Sequence, residues 1–585
     1  MPLLTLDFTE ASRHRLQASL RFRPRGPRLS FHLPRWTPGS YLLREYARHL
    51  ESLEVSQGGR SLSPRRLAPN RWQIEDLAPD EEVEIRSWHQ ATELSVRTCH
   101  LNADHGFVTL AAVLLLVDGE RWEPHRLALE LPPGWEPFVP LPRSEDGHWL
   151  AADADQLIDT PVEVGPHPSH AFTVAGIPHR WVGWGGDLPA VDPDWLADVE
   201  RVCGACCRLI GEEAPAAPDY LFVLHLLENG YGGLEHDRST VLQYGRRTLG
   251  RPEGRRRLLQ LVAHEYLHQW NVRRLRPAEL CPINYDREVI VPTLWFAEGV
   301  TSYYDQLLPL LAGCSSEDDL LEDLGADLSR YRLNRGRRIQ SLRQSSEEAW
   351  VKLYRADATS PENQVSYYLK GAVVALALDL HLRAVGSCLA VVLRHLWQHW
   401  GRHGRGYGPD DLLALFRRED AALAELLPRW LEGTSEADEP DLDTYLASVG
   451  LELLPERAAG PDLGLSATVQ ASALVVQGVE RGGPACRAGV DVGDELLALA
   501  GRRQRTPEDL EALGRDPFLE LPLPQGEEDG PPALPLELWI GREGLVRRLK
   551  LVPRPPRVER WKLSWQSDPA AEVLERRRAW LSLVP

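Results

Sequence analysis

Within Val262 to Asn271, reading V-A-H-E-Y-L-H-Q-W-N, His264 and His268 stand four residues apart with Glu265 beside the first. On a helix the two imidazoles share one face and can grip one metal ion, with the adjacent carboxylate left over to act as a base. Zinc hydrolases use this spacing to supply two neutral nitrogen ligands and a carboxylate that reaches the activated water rather than the metal. The surroundings Leu258, Leu259, Leu261, Val262, Ala263, Leu267 and Trp270 are apolar and follow a basic run, Arg255 to Arg257. A histidine pair in such a run is partly buried. Each buried polar group without a partner costs about 1–3 kcal/mol, so a metal accounts for the pattern more economically than a surface helix with two solvated histidines.

A third ligand is then expected downstream. In Trp295 to Tyr304, W-F-A-E-G-V-T-S-Y-Y, Glu298 is the only acid among mainly apolar residues. Such an acid is buried only when paired or coordinating, and the alternative is an acid favoured by the dipole of a helix N-terminus. Two histidines and one carboxylate leave a fourth zinc position for water, whose pKa falls to about 7 in such a site. Glu265 is placed to take that water's proton and pass it to a leaving amine. One zinc ion per chain is the expectation.

These stretches carry a family resemblance. HEYLHQWNVRRLRP followed by LWFAEGVTSYYD resembles the bacterial glycyl aminopeptidases, zinc peptidases that join a thermolysin-like catalytic domain to a PDZ domain. PRWTPGSYLLREYARHL (Pro34 to Leu50), YGGLEHDRST (Tyr231 to Thr240) and SPENQVSYYLKGAVVALALDLHLR (Ser360 to Arg383) look like the same family in the same order. The interval of about thirty residues between His268 and Glu298 is longer than in most glutamate-zinc peptidases and is similar to this family's inserted connection.

Gly232-Gly233-Leu234-Glu235-His236 looks like the exopeptidase signature of the related alanyl aminopeptidases. The residues can also be read directly. An apolar run, Tyr220 to Leu227, predicts a strand ending in Asn229-Gly230, and Gly232 and Gly233 let backbone approach a substrate and pair with it as an added strand. Glu235 near the zinc would bind a free α-ammonium, fixing the N-terminus so that the first peptide bond falls on the metal. The alternative is a Gly-Gly turn with a surface acid; His236, Asp237 and Arg238 are left without a role. Tyr367-Tyr368-Leu369-Lys370-Gly371 is similar to the Tyr-x-Lys-Gly element of the alanyl aminopeptidases, which implies Tyr368 as the oxyanion donor. A phenol stays protonated at neutral pH and can donate to developing negative charge. Tyr367 in that role, and a core tyrosine pair, remain as alternatives.

The chain has 585 residues, 43% hydrophobic, with a formal net charge of −19. That length predicts several domains, and the acidic balance argues against nucleic acid as a partner. The N-terminus lacks an apolar core of signal-peptide length, and no run approaches the ~18 apolar residues of a membrane span. Eight cysteines, mostly single and in apolar surroundings, predict free thiols and a cytoplasmic location.

The expected fold class is multidomain α+β. Residues 1–175 alternate apolar and polar positions between turns and predict a β-rich domain, a sandwich. Residues 176–312 predict the α/β catalytic lobe with the HExxH helix, and 313–457 a helical lobe returning Tyr368. A break at Ala458 to Pro461 opens 458–555, where Leu463-Gly464-Leu465 and GGPACRAGVDVGDELLALAGRR look like a PDZ domain; 556–585, with Trp561, Trp565 and Trp580, predict a tail packed on the body. Together the expectations describe a zinc aminopeptidase acting on peptides with a free N-terminus, the resemblance implying a preference for Gly or Ala. A PDZ domain would add capture of a peptide C-terminus. The rivals are an endopeptidase with PDZ-guided docking and a PDZ peptide-binding protein whose peptidase site has decayed.

Overall fold

The computed structural model describes residues 1–512 and 534–582. Residues 513–533, inside the stretch expected to form a PDZ domain, and the last three residues of the expected tail lie outside the described residues. The chain divides into two compact units. The first comprises residues 1–317, 385–424 and 579–585; the second comprises 318–384 and 425–578.

The first unit begins as β-structure because its strands alternate apolar and polar side chains, as in Leu3–Asp7 and Val83–Gln90. A seven-stranded sheet runs in the order Trp149–Ala151, His125–Glu130, Leu3–Asp7, Arg15–Phe22, Val83–Gln90, Leu50–Gln57, Arg60–Leu62. Two four-stranded sheets accompany it, one of which places Pro161–Gly165 between Glu136–Phe138 and Gly106–Thr109.

A five-stranded sheet follows, ordered Ser169–Val174, Ile177–Trp184, Tyr220–Leu227, Ser239–Gly245, Tyr231–Glu235. Its central strand Tyr220–Leu227 reads Y-L-F-V-L-H-L-L, buried along nearly its whole length and parallel to both neighbours, as a strand covered on two faces should be. Tyr231–Glu235 is the edge, paired antiparallel only with Ser239–Gly245. The helices Trp195–Ile210, Gly254–Leu267 and Leu294–Leu311 pack on one another beside this sheet. Cys203, Cys206 and Cys207 are buried in the first of these helices. Trp580 is fully buried in this unit and donates its indole N–H to the Tyr303 hydroxyl at 2.8 Å.

In the second unit Tyr367–Ala384 is apolar on nearly every face and correspondingly buried. Leu451–Arg457 pairs with Val558–Trp565, and the main-chain N–H of Trp561 donates to Ser329 Oγ of the helix Glu317–Leu333. A separate sheet runs Leu465–Gln470, Ala473–Val479, Glu495–Leu499, Leu536–Arg542, Leu545–Leu551, around a core that includes Leu474, Val476, Leu496, Leu538 and Ile540. No single helix among the described residues is long and apolar enough to cross a membrane.

His89, inside the first sheet, shows what such burial does to a titratable group. Burial lowers its pKa from 6.5 to about 3, so it is neutral in the folded chain. The unfolded chain binds the extra proton between those values, so this residue's contribution to stability is lost as pH falls through that window. Between pH 7 and 5 the loss is about 2 kcal/mol. Denaturant titrations at the two pH values should show the H89Q variant losing less stability than wild type by about this amount; equal losses would refute the assignment.

Candidate active site

The sequence motif lies where the first unit brings helix, helix and sheet edge together. Gly254–Leu267 carries His264 and Glu265, and His268 caps its C-terminus. Glu298 sits one turn into Leu294–Leu311, 2% exposed. The Nε2 atoms of His264 and His268 lie 3.6 and 3.3 Å from Glu298 Oε2. With metal bonds of about 2.0–2.1 Å at tetrahedral angles, ligand atoms stand about 3.3 Å apart, so these three donors are spaced for one ion.

The opposite edges of both rings are tied down. His264 Nδ1 meets Asp305 Oδ2 at 2.8 Å, and His268 Nδ1 donates to the main-chain carbonyl of Asn271. Both contacts leave Nε2 as the ligating nitrogen, the outer-shell arrangement that orients histidine ligands in metal sites. Asn271 also donates through Nδ2 to the Ala297 carbonyl at 3.0 Å and the Thr301 hydroxyl at 3.2 Å. The residue that orients His268 thus also fastens the helix bearing Glu298. Burial would raise the Glu298 carboxyl, but His268 and His264 outweigh it and hold it down to about 2.

Glu265 is 5% exposed, and its Oε2 has no hydrogen-bond partner among the described residues. Burial pushes its carboxyl up to about 7, against the pull of the two imidazoles. Directly across lies the edge strand: a Cβ built on Gly233 would fall on the Glu265 carboxylate, so only glycine lets the strand approach this closely.

Glu235 ends the same strand. It is 4% exposed, its Oε1 has no hydrogen-bond partner among the described residues, and ligand atoms of Glu235, Glu265 and His268 lie within 4.8 Å of one another. The surface-acid alternative is thereby excluded. Gly39, with φ +79°, closes the other side: a Cβ there would stand 2.5 Å from Glu235 Oε1 and 2.7 Å from Oε2. Gly39 belongs to the P-R-W-T-P-G-S-Y segment, whose local role the sequence alone did not supply.

Nor did the sequence assign the residues that hold the turn after Glu235. Asp159 accepts from the Asp237 main-chain N–H at 2.8 Å and meets His236 Nδ1 at 3.2 Å. The buried Arg273 guanidinium bridges Asp159 at 2.7 Å and Asp237 at 3.0 Å. The guanidinium of Arg97 donates to the carbonyl of Gly233 at 3.2 Å. Asp305 carried one readable signal, standing seven residues after Glu298 and so two turns along the same helical face. Asp159, Arg97 and Gly39 carried none.

Tyr367 and Tyr368 open the helix Tyr367–Ala384 in the second unit. Their rings stack with centroids 4.7 Å apart, and the Tyr354 hydroxyl lies 3.0 Å from that of Tyr368 and 3.3 Å from that of Tyr367. Tyr367 is fully buried, whereas Tyr368 is partly exposed.

Comparison with known proteins agrees on the class. The protein is a peptidase, a hydrolase of peptide bonds. Residues 257–374 match the model of the M61 glycyl aminopeptidase family, and residues 3–166 match that of the peptidase M61 N-terminal domain. The crystal structure of an aminopeptidase N family protein from Idiomarina loihiensis is similar over 99% of this chain and 100% of its own, with a TM-score of 0.90 and 27% identity. Legionella pneumophila aminopeptidase A, in complex with aspartic acid, gives a TM-score of 0.48 at 12% identity over 79% of this chain and 51% of that one. Native yeast LTA4 hydrolase gives 0.47 at 13% over 77% and 70%. No curated protein matches the chain by sequence.

If Asp305 orients His264, D305A should weaken affinity for added zinc by about 10–100-fold, measured by competition with a chelating dye. Unchanged affinity would show that the 2.8 Å contact has no part in holding the ring.

Proposed function

We propose that the protein is a zinc-dependent aminopeptidase that removes small N-terminal residues, glycine or alanine, from peptides, with His264, His268 and Glu298 holding one zinc ion. The observation that carries this reading is Glu235, a buried carboxylate with an unpartnered oxygen beside Glu265 and His268. A buried anion at the end of an edge strand calls for a cation, and a peptide's α-ammonium supplies one at the place where a chain laid along Tyr231–Glu235 would begin.

When bound, zinc would polarise the scissile carbonyl and make water acidic enough to attack. The chain's own residues do the rest. Gly232 and Gly233 present main-chain groups to the substrate backbone, as a sheet edge does in strand addition. Glu235 takes the ammonium and sets the first peptide bond in register. Glu265, raised to about 7 by burial, accepts the proton of the attacking water and returns it to the leaving amine. Tyr368 donates its hydroxyl to the negative charge that develops on the carbonyl oxygen.

Residues 458–555 we read as a PDZ domain. The reading is supported by the order of the sheet and by the short helices Pro484–Ala488 and Pro507–Ala512. Leu465–Gln470 forms the edge of that sheet and is largely exposed, open to a peptide C-terminus. A reducing location, the cytoplasm, is supported by eight free cysteines, five of them buried.

Hydrolysis of Gly-, Ala- and Leu-p-nitroanilides should be sensitive to chelators, fastest for the smallest residues, and absent for the N-acetylated forms. Equal cleavage of acetylated compounds would instead establish an endopeptidase. E265Q should retain zinc while losing turnover, E235A should raise KM for free-amine substrates, and Y368F should lower kcat by roughly 10²-fold with zinc content unchanged. A fully active E265Q enzyme would remove Glu265 from the mechanism.

A further inference from the structure

Away from this site, in the first unit, three histidines gather around one carboxylate and a fourth stands beside them. Glu163, in the centre of Pro161–Gly165, has a side chain 1% exposed. His105 Nδ1 lies 3.0 Å and His167 Nε2 2.7 Å from its Oε1, and His225 Nε2 lies 2.9 Å from its Oε2. The three imidazole side chains are 0, 4 and 0% exposed. His100 stands next in line, its ring centroid 5.1 Å from that of His105.

A hydrogen-bonded carboxylate does not need this many imidazoles. His105 Nε2 and His225 Nδ1 are buried and have no hydrogen-bond partner among the described residues. Trp184 stacks on His105 at 4.0 Å, Phe138 stacks on His167, and Phe107 meets His225 edge-on, so water is kept out. The imidazole nitrogens of His105 and His167 and one oxygen of Glu163, enclosed by aromatic rings, form a donor set suited to a borderline divalent ion, and His225 holds the second carboxylate oxygen. The ligand atoms of His105, Glu163 and His167 meet the same mutual separation, within 4.8 Å, as those of His264, His268 and Glu298.

We propose that His105, Glu163 and His167 form a second metal site, a buried structural centre for a divalent transition-metal ion of the zinc type, with His225 orienting Glu163 through its second oxygen. The site differs from the first in two ways. Its donor side chains are 0, 1 and 4% exposed, whereas His264 in the first is 13% exposed, and withdrawal from solvent suits a structural centre. Its nitrogen–oxygen separations are 2.7–3.0 Å against 3.3–3.6 Å in the first triad, the contraction of a cluster whose nitrogens share protons with Glu163. An ion entering the cluster spreads the donors by a few tenths of an ångström to the ~3.3 Å of tetrahedral ligation.

The topology gives the ion its function. His105 directly precedes Gly106–Thr109, His167 follows Pro161–Gly165, and those two strands pair in one small sheet. His225 comes from Tyr220–Leu227 of the five-stranded sheet, whose next strand is Tyr231–Glu235. Through the hydrogen bond of His225 to Glu163 the site ties the β-rich N-terminal region to the sheet that carries Glu235.

The test is metal content of the full-length protein, loaded with zinc, desalted and measured by plasma mass spectrometry. Two equivalents are expected in wild type, one in H264A/H268A, one in H105N/H167N, and none in the combined variant. The asparagine pair conserves polarity, and circular dichroism establishes that it folds. Anomalous scattering at the zinc edge from wild-type crystals should place the second ion between His105, Glu163 and His167. One equivalent in wild type that is lost in H264A/H268A, kept in H105N/H167N and absent from this cluster in the anomalous map would overturn the proposal and leave a purely hydrogen-bonded cluster.

Discussion

Glu235, Glu265 and Glu298 are respectively 4, 5 and 2% exposed and converge on one small volume beside His264 and His268. Carboxylates withdrawn from water lose hydration and repel one another, so an arrangement of this kind persists only where cations or hydrogen-bond donors answer each charge. Two imidazoles answer Glu298. Among the described residues, Glu265 and Glu235 each keep an oxygen without a hydrogen-bond partner. The shape of the surrounding structure follows from that uncompensated negative charge. The helices that bear the ligands are fastened to each other through Asn271, and the turn after Glu235 is held by the buried Arg273 between Asp159 and Asp237.

The proposed chemistry makes use of the same deficit. On this reading the metal ion and the peptide's own ammonium are the positive charges that the site lacks, and they arrive on opposite sides of the scissile bond. Specificity for a free N-terminus is then a consequence of burial rather than of a dedicated recognition loop. A neutral, acylated chain end would leave Glu235 unpaired in a dry pocket, whereas an ammonium pairs with it.

The N-terminal β-rich region is drawn into this arrangement through bare backbone and through charge. Gly39 lies against Glu235 because any side chain there would collide with its carboxylate, and Asp159 reaches the turn that follows it. Arg97 holds the Gly233 carbonyl from the same region. Gly233 in turn lies so close to Glu265 that strand and helix leave each other no room for a Cβ. Two glycines thus set how closely the segments around the proposed substrate strand can approach.

Local periodicity makes part of this legible in the amino-acid sequence by itself. His264 and His268 at i and i+4 share a helical face whatever the rest of the chain does, and an isolated acid in an apolar helix points to Glu298 in the same way. The strand Tyr220–Leu227 and the helices Trp195–Ile210 and Leu389–His399 are readable because burial imposes a short-range pattern on the chain. The tertiary structure alone decided what stands opposite these elements. Asp159 meets His236 across 77 residues and Glu163 meets His225 across 62, with no spacing rule connecting them. Gly39 is one turn glycine among many until the fold sets it on Glu235. Sequence carries the constraints that a helix or strand applies to its own neighbours; compensation of a buried charge depends on which distant segment the fold delivers, and that is fixed only when the sheets and helices have packed.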